Sequence, residues 1–191
     1  MVRTFYSVWK TRTAKAAFVL LTCFVFPAWF GSGLQAQSPT EEELKAAFLY
    51  HFAQFVEWPP DAFADDNAPI VVGVLGDDSF REVLTQVVEN KVAQGRKFAV
   101  RKWKRNEGTE HCQILFIGPS ESGALPETLQ NIKAPGVLTI GETEGFAKRG
   151  GMINFVLSGK KLNFEINQKS AESAGLKISS KLLALAKAVW E

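Results

Sequence analysis

Histidine, cysteine and tyrosine are scarce in this chain, with two of each in 191 residues. That scarcity removes most of the usual catalytic sets. GPSES, residues 118 to 122, stands where a nucleophile elbow G-x-S-x-G would stand, but its second glycine is Ser122. A serine hydrolase on such a sheet also needs a histidine after the nucleophile, and both His51 and His111 precede Ser120. Metal binding meets the same obstacle. His111 and Cys112 are neighbours, and neighbours on an extended strand point to opposite faces, so they do not share an ion. No paired CxxC, HExxH or calcium loop is present, and GVLGDD lacks the glycine spacing of a dinucleotide fingerprint or a P-loop. The expectation is a protein with no catalytic residues, no metal and no cofactor.

A long hydrophobic run is also missing. The most apolar stretch, AAFVLLTCFVF at residues 16 to 26, is shorter than the roughly 20 residues a bilayer-spanning helix needs. Arg3, Lys10, Arg12 and Lys15 precede it and PAWFGSGLQAQ follows, the layout of a secretory signal peptide. Residues 1–36 are therefore read as a signal segment cut after Ala36, with a cut after Gly33 as the alternative. LLTC resembles a lipobox around Cys23, but Thr22 is not the very small residue required and the apolar segment continues past the cysteine.

Nor is there an excess of charge. The signal segment holds four of the 22 basic residues and none of the 20 acidic ones, leaving 18 against 20 and a net charge of −2. Such a balance gives no basis for nucleic-acid binding. The basic run RKFAVRKWKRN, residues 96 to 106, alternates charge with Phe98, Val100 and Trp103, the pattern of a charged edge strand that resists aggregation. With Cys23 removed, Cys112 has no partner for an intrachain disulfide. It opens the apolar run CQILFI, where burial would keep the thiol reduced.

What remains, residues 37–191, has the composition of one globular domain, since 46% of the chain is hydrophobic and 22% charged. Thr40 and Glu43 form a capping box that starts a helix, and Leu44, Ala47, Phe48, Phe52 and Phe55 line one face of it until Pro59 and Pro60 end it near Trp58. His51, at the rim of that stripe in FLYHFAQFVEWPP, is read as a bystander. IVVGVLG (70–76), KFAVRKW, ILFIG (114–118) and VLTIG (137–141) read as strands, the apolar ones buried on both faces. Helical patterns lie between them: DDSFREVLTQVVEN, capped by Asp77 or Asp78, and ESGALPETLQNI. MINFVL and KKLNFEIN flank Ser158-Gly159, a two-residue hairpin loop. AESAGLKISSKLLALAKAV closes with a short helical turn, a break near Gly175, and a helix capped by Ser179 or Ser180 that buries Leu182, Leu183, Leu185 and Ala186. The expected fold is α/β, a three-layer sandwich with a mostly parallel sheet, a C-terminal antiparallel hairpin and a closing helix.

In such a sheet the loops at the carboxyl ends of the strands form a crevice. Here they are Gly76-Asp77-Asp78, Gly118-Pro119-Ser120 and Gly141-Glu142-Thr143. Gly76, Asp77, Asp78, Ser120, Glu142 and Thr143 are the candidate ligand-binding residues, with helix N-termini offering backbone donors and the acids opposing a strongly anionic ligand. Ordinary turns and caps explain the same residues.

AAFLYHFAQFVEWP, IVVGVLGDDSF, CQILFIG, VLTIGETEGFAKRGGMINFVL, KLNFEIN and AGLKISSKLLALAKAV, in that order, resemble the YfiR family over nearly all of residues 41 to 190. The resemblance implies a periplasmic signalling regulator without enzymatic activity. It would bind the periplasmic sensor region of an inner-membrane diguanylate cyclase and repress it, lowering cyclic-di-GMP and biofilm formation until an outer-membrane lipoprotein sequesters it. It further implies a homodimer and, because similar domains precede sensor kinases, a sensor kinase as another possible partner. A different class of reading is a periplasmic small-ligand sensor using the crevice. One departure stands out: many relatives carry a cysteine that matches Gly73 and that could pair with the one matching Cys112, a bridge this chain cannot make.

Overall fold

A computed structural model of the chain describes residues 38–132 and 134–191. The expected signal segment and Cys23 lie outside them. Thr40 caps α1 (Glu41–Phe55) as its sequence predicts, its Oγ1 accepting from the Glu43 N–H at 3.2 Å while Glu43 accepts from the Thr40 N–H at 2.7 Å. The helix ends at Phe55, three residues before Trp58, because Val56–Glu57 (β1) extends to pair antiparallel with Lys177–Ile178 (β9) before the prolines are reached. Its buried stripe is also rotated from the expected one. Ala46, Leu49, Phe52 and Ala53 are fully buried, whereas Leu44, Phe48 and Phe55 pack only partly.

The remaining strands are β2 (Ile70–Leu75), β3 (Val92–Ala93), β4 (Arg96–Lys102), β5 (Ile114–Ile117), β6 (Leu138–Gly141), β7 (Ile153–Ser158), β8 (Lys161–Asn167) and β10 (Ala188–Trp190). They form one eight-stranded sheet ordered β10-β8-β7-β6-β5-β2-β4-β3. Only β7–β8 and β3–β4 pair antiparallel, so the sheet is mostly parallel with the expected hairpin. The hairpin turn is Gly159-Lys160, one residue later than Ser158-Gly159, since Ser158 pairs with Lys161. Gly159 supplies the positive φ of 62° that such a turn needs.

The continuous apolar strands are buried on both faces because each alternates between two cores. Ile70, Val72, Val74, Ile114 and Phe116 face α1 and α2 (Asp78–Val88), together with Phe80 and Leu84. Leu75, Leu115 and Ile117 face the opposite way, toward Phe146 and Leu125 at the start of α3 (Leu125–Asn131). Helices on both faces of the mixed sheet give the α/β three-layer architecture.

β4 is covered at Arg96 and Lys97 by the two-residue β3, and its other residues pair only with β2. Three of its four basic side chains, Arg96, Arg101 and Lys102, find partners within the domain. Arg96 donates to the carbonyls of Asp65 and Ala68 at 2.8 and 2.7 Å, and Arg101 lies 3.6 Å from Glu107.

The C-terminal segment departs most from expectation. After α4 (Gln168–Ser173) and the break at Gly175, α5 (Ser180–Leu183), capped by Ser179, is a single turn. Of the four residues expected to be buried by a closing helix, only Leu182 is, and Leu185 is 72% exposed. The chain then runs on as β10, parallel to β8. Backbone pairing at the free edge of β8 takes the place of two further helical turns.

Candidate functional site

The strands β4, β2, β5, β6 and β7 stand in the order 2-1-3-4-5 when counted from β2. The connections therefore reverse direction between β2 and β5, the point where open α/β sheets form their crevice. Gly76 leaves β2 with φ +77°, and Asp77 caps α2, its Oδ1 accepting from the Phe80 N–H at 2.9 Å and the Ser79 hydroxyl at 2.8 Å. Ser120 Oγ donates to the Gly76 carbonyl at 2.6 Å. That hydroxyl ties two loops together. A Cβ on Gly118 would fall 2.9 Å from the Gly76 carbonyl, so glycine there permits the close approach.

The acids around this point have partners. Asp78 lies 2.6 Å from Lys102 Nζ and 3.4 Å from Arg81 Nε, and the hydrogen bond from Lys102 is the chief cause holding its carboxyl below the usual pKa. Arg105 donates to Glu121 at 2.6 Å. Glu142 turns to helix α1 instead, its carboxylate 2.5 Å from Lys45 Nζ, which also meets Glu41 at 2.8 Å. Burial works against the Lys45 charge, but the hydrogen bonds and charges of Glu142 and Glu41 outweigh it and raise the pKa. Thr143 Oγ1 is buried without a hydrogen-bond partner among the described residues. Of the six candidate residues, Gly76 and Ser120 are thus joined by a hydrogen bond, Asp77 caps α2, Asp78 is tied to β4, and Glu142 to α1.

A groove of about 500 Å³ opens beside Glu142, lined also by Glu144, Lys148, Asn154, Leu157 and Glu165. Asn154 is 3% exposed; its Nδ2 donates to Glu165 Oε2 at 3.3 Å, while its Oδ1 meets no donor among the described residues. Sequence reasoning missed Lys45, Asn154 and Glu165. A signal was available for two of them. Lys45 stands four residues after Glu41 on a helix, and Asn154 interrupts the apolar run MINFVL.

His51 is exposed, its Nδ1 3.3 Å from Gln54 Oε1. No three His, Cys, Asp or Glu side chains are grouped to hold a metal ion among the described residues. None of the described helices is long and apolar enough to cross a membrane. Cys112 is buried and free, its thiol donating to the Ile114 carbonyl at 3.0 Å.

No functionally curated protein matches the chain. Among solved structures it is similar to a conserved domain protein of Vibrio cholerae O1 biovar El Tor, with a TM-score of 0.54, 13% identity, and 78% of this chain and 60% of that one covered. It also matches the ABC domain of Streptococcus pneumonia solved in complex with L-Trp, with a TM-score of 0.48 and 15% identity, over 62% of this chain and 54% of that one. The chain therefore spans little more than half the length of these proteins, and at such identities the Vibrio structure speaks to the fold alone. The decisive match is to a family model, which covers residues 42–187, from the first turn of α1 to the residue before β10. The chain belongs to the YfiR/HmsC-like family.

Proposed function

We propose that the domain is a periplasmic regulator that represses a membrane-bound diguanylate cyclase by binding its sensor region. Family membership across residues 42–187 carries this reading. The chemistry of the site supports it, because Ser120 is tied to the Gly76 carbonyl and Asp78 to Lys102. The basic, then apolar, N-terminal pattern supports export by a signal peptide. On this reading the mature protein works as a homodimer without a cofactor or nucleic acid, and an outer-membrane lipoprotein relieves the repression. A sensor kinase is the other partner class that fits. Deleting the gene should raise cellular cyclic-di-GMP, and the mature protein should retain a membrane cyclase on an affinity column. Unchanged nucleotide together with no retained membrane protein would sink the proposal.

A small-ligand sensor has one observation in its favour, the meeting of glycine-led loops at the reversal point between β2 and β5. Its ligand would lie against Gly76, Asp77, Asp78, Ser120, Glu142 and Thr143. A ligand that binds the folded state must raise the melting temperature. A thermal-shift screen of periplasmic metabolites in which none stabilises the protein counts against it.

A further inference from the structure

We propose that the free edge of β7 at residues 155–157 accepts an extended strand from a protein partner, with a basic side chain of that strand seated in the adjoining acidic groove. The inference rests on the regulator reading above and names the surface through which it would act. β6 pairs with β7 only at Ile153 and Asn154, whereas β8 follows β7 to Ser158. From Phe155 onward β7 therefore has a strand on one side only. Alternate residues of an antiparallel strand direct both N–H and C=O away from the partner, so this stretch presents unpaired donors and acceptors to the groove.

Two further features single out this edge. The opposite side of the sheet is guarded by Arg96, Lys97, Arg101 and Lys102 on β4, but INFVLS carries neither charge nor proline, and Leu157 is 53% exposed. Such an edge lacks the usual protection against strand addition. The groove walls hold the carboxylates of Glu144 and Glu165, beside Glu142 already paired with Lys45, against the ammonium of Lys148, which sits 4.9 Å over the Trp190 ring. Asn154 adds a buried Oδ1 that accepts no hydrogen bond among the described residues. An incoming Lys or Arg supplies both the missing donor and the missing charge, while the strand backbone supplies the pairing, the combination that β-augmentation uses. A second copy of this chain fits poorly, because two such edges side by side would bring their carboxylates together.

The test places a photo-crosslinking residue at Leu157 in the full chain, in cells, and sequences the captured peptide. A basic, extended segment of a membrane protein is expected. Glu144→Lys combined with Leu157→Asp, in a chain that keeps its wild-type melting temperature, should cut partner binding about tenfold or more. Leu185→Asp, at a still more exposed leucine elsewhere, should change it little. Capture of this chain itself, or no capture while the wild type still lowers cyclic-di-GMP, overturns the docking surface and leaves the regulator reading standing. If deletion leaves cyclic-di-GMP unchanged, the regulator reading falls, and the captured peptide still decides whether the β7 edge is a docking site. Binding by the double variant equal to wild type also overturns the inference.

Discussion

Cys112 should be inert to alkylation in the native protein and reactive only after unfolding. Its side chain is 3% exposed at the entry to β5, and burial pushes the thiol from its ordinary value of 9.0 up to about 12, the Gly73 backbone and the Arg101 charge pulling only weakly the other way. At pH 8 an ordinary thiol of this kind is about one-tenth thiolate; with the raised value the share is roughly one in ten thousand, a thousandfold loss of the reactive form before access is counted. The same shift sets a pH dependence of stability. Between pH 9 and 12 the unfolded chain has released the thiol proton while the folded chain keeps it, so the unfolded state binds fewer protons and stability falls as pH rises. The slope approaches about 1.4 kcal/mol per pH unit within that window, and the contribution is fully present below pH 9. Labelling with a maleimide, native against denatured, measures the first effect; urea unfolding of wild type and Cys112→Ala between pH 8 and 10.5 measures the second. Lys45 titrates in both proteins, so the difference in slope isolates the thiol. Native labelling within a few-fold of the denatured rate, or equal slopes for the two proteins, would refute the reasoning.

Phe52, fully buried and packed 5.0 Å from Phe164 and 5.7 Å from Phe155, should cost about 3–5 kcal/mol on replacement by alanine, read from chemical denaturation. His51→Ala, on the exposed side of the same helix, should stay within about 0.5 kcal/mol, and a folded His51→Ala protein without regulatory activity would contradict the bystander reading. Lys45→Met leaves the largely buried Glu142 carboxylate unpaired and should destabilise by about 2–4 kcal/mol, with Glu142→Gln restoring part of the loss in the double variant. Because the folded pKa of Lys45 is raised above its usual 10.5, its stabilisation is complete below that pH and disappears as pH rises through the folded value. Gly73→Cys should destabilise by about 1–3 kcal/mol without bridging to Cys112, and a mass 2 Da lower than the reduced form, about the mass of two hydrogens, would show the bridge had formed.

The fold was legible wherever one residue pattern had a single structural solution. Ile70–Leu75 and Ile114–Ile117 are too apolar to lie anywhere but between two cores, and Thr40 with Glu43 leaves little choice of helix start. The helix ends were harder. Phe55 closes α1 because β1 finds a partner in β9, more than a hundred residues away, and no local pattern contains that pairing. LLALAKAV has helical spacing and helical residues, but the open side of β8 offers hydrogen bonds to Ala188–Trp190 that outweigh local preference. The candidate site was half legible for a related reason. Loops such as Gly76–Asp78 follow from the topology, whereas the notch beside β7 exists because β6 stops two pairs into the ladder, a difference in strand lengths that residue types do not record.

The contacts around Gly73 leave no room for a side chain at that position. A Cβ at Gly73 would fall 2.7 Å from Cε3 of Trp103 and 3.1 Å from a Leu115 methyl, so the indole occupies the space a side chain there would need. Trp103 is 3% exposed and packs in one cluster with Cys112, Leu115 and Leu75. A tryptophan buries far more apolar surface than a cysteine pair, and it does so without depending on an oxidant. The strand end that a disulfide would staple is instead filled by a ring. Arg101 lies over that ring, 4.2 Å from its centroid, covering the cluster from the solvent side. Among the described residues Cys112 thereby stays both unpaired and shielded: the packing that fills the place beside Gly73 also keeps oxidants from the thiol.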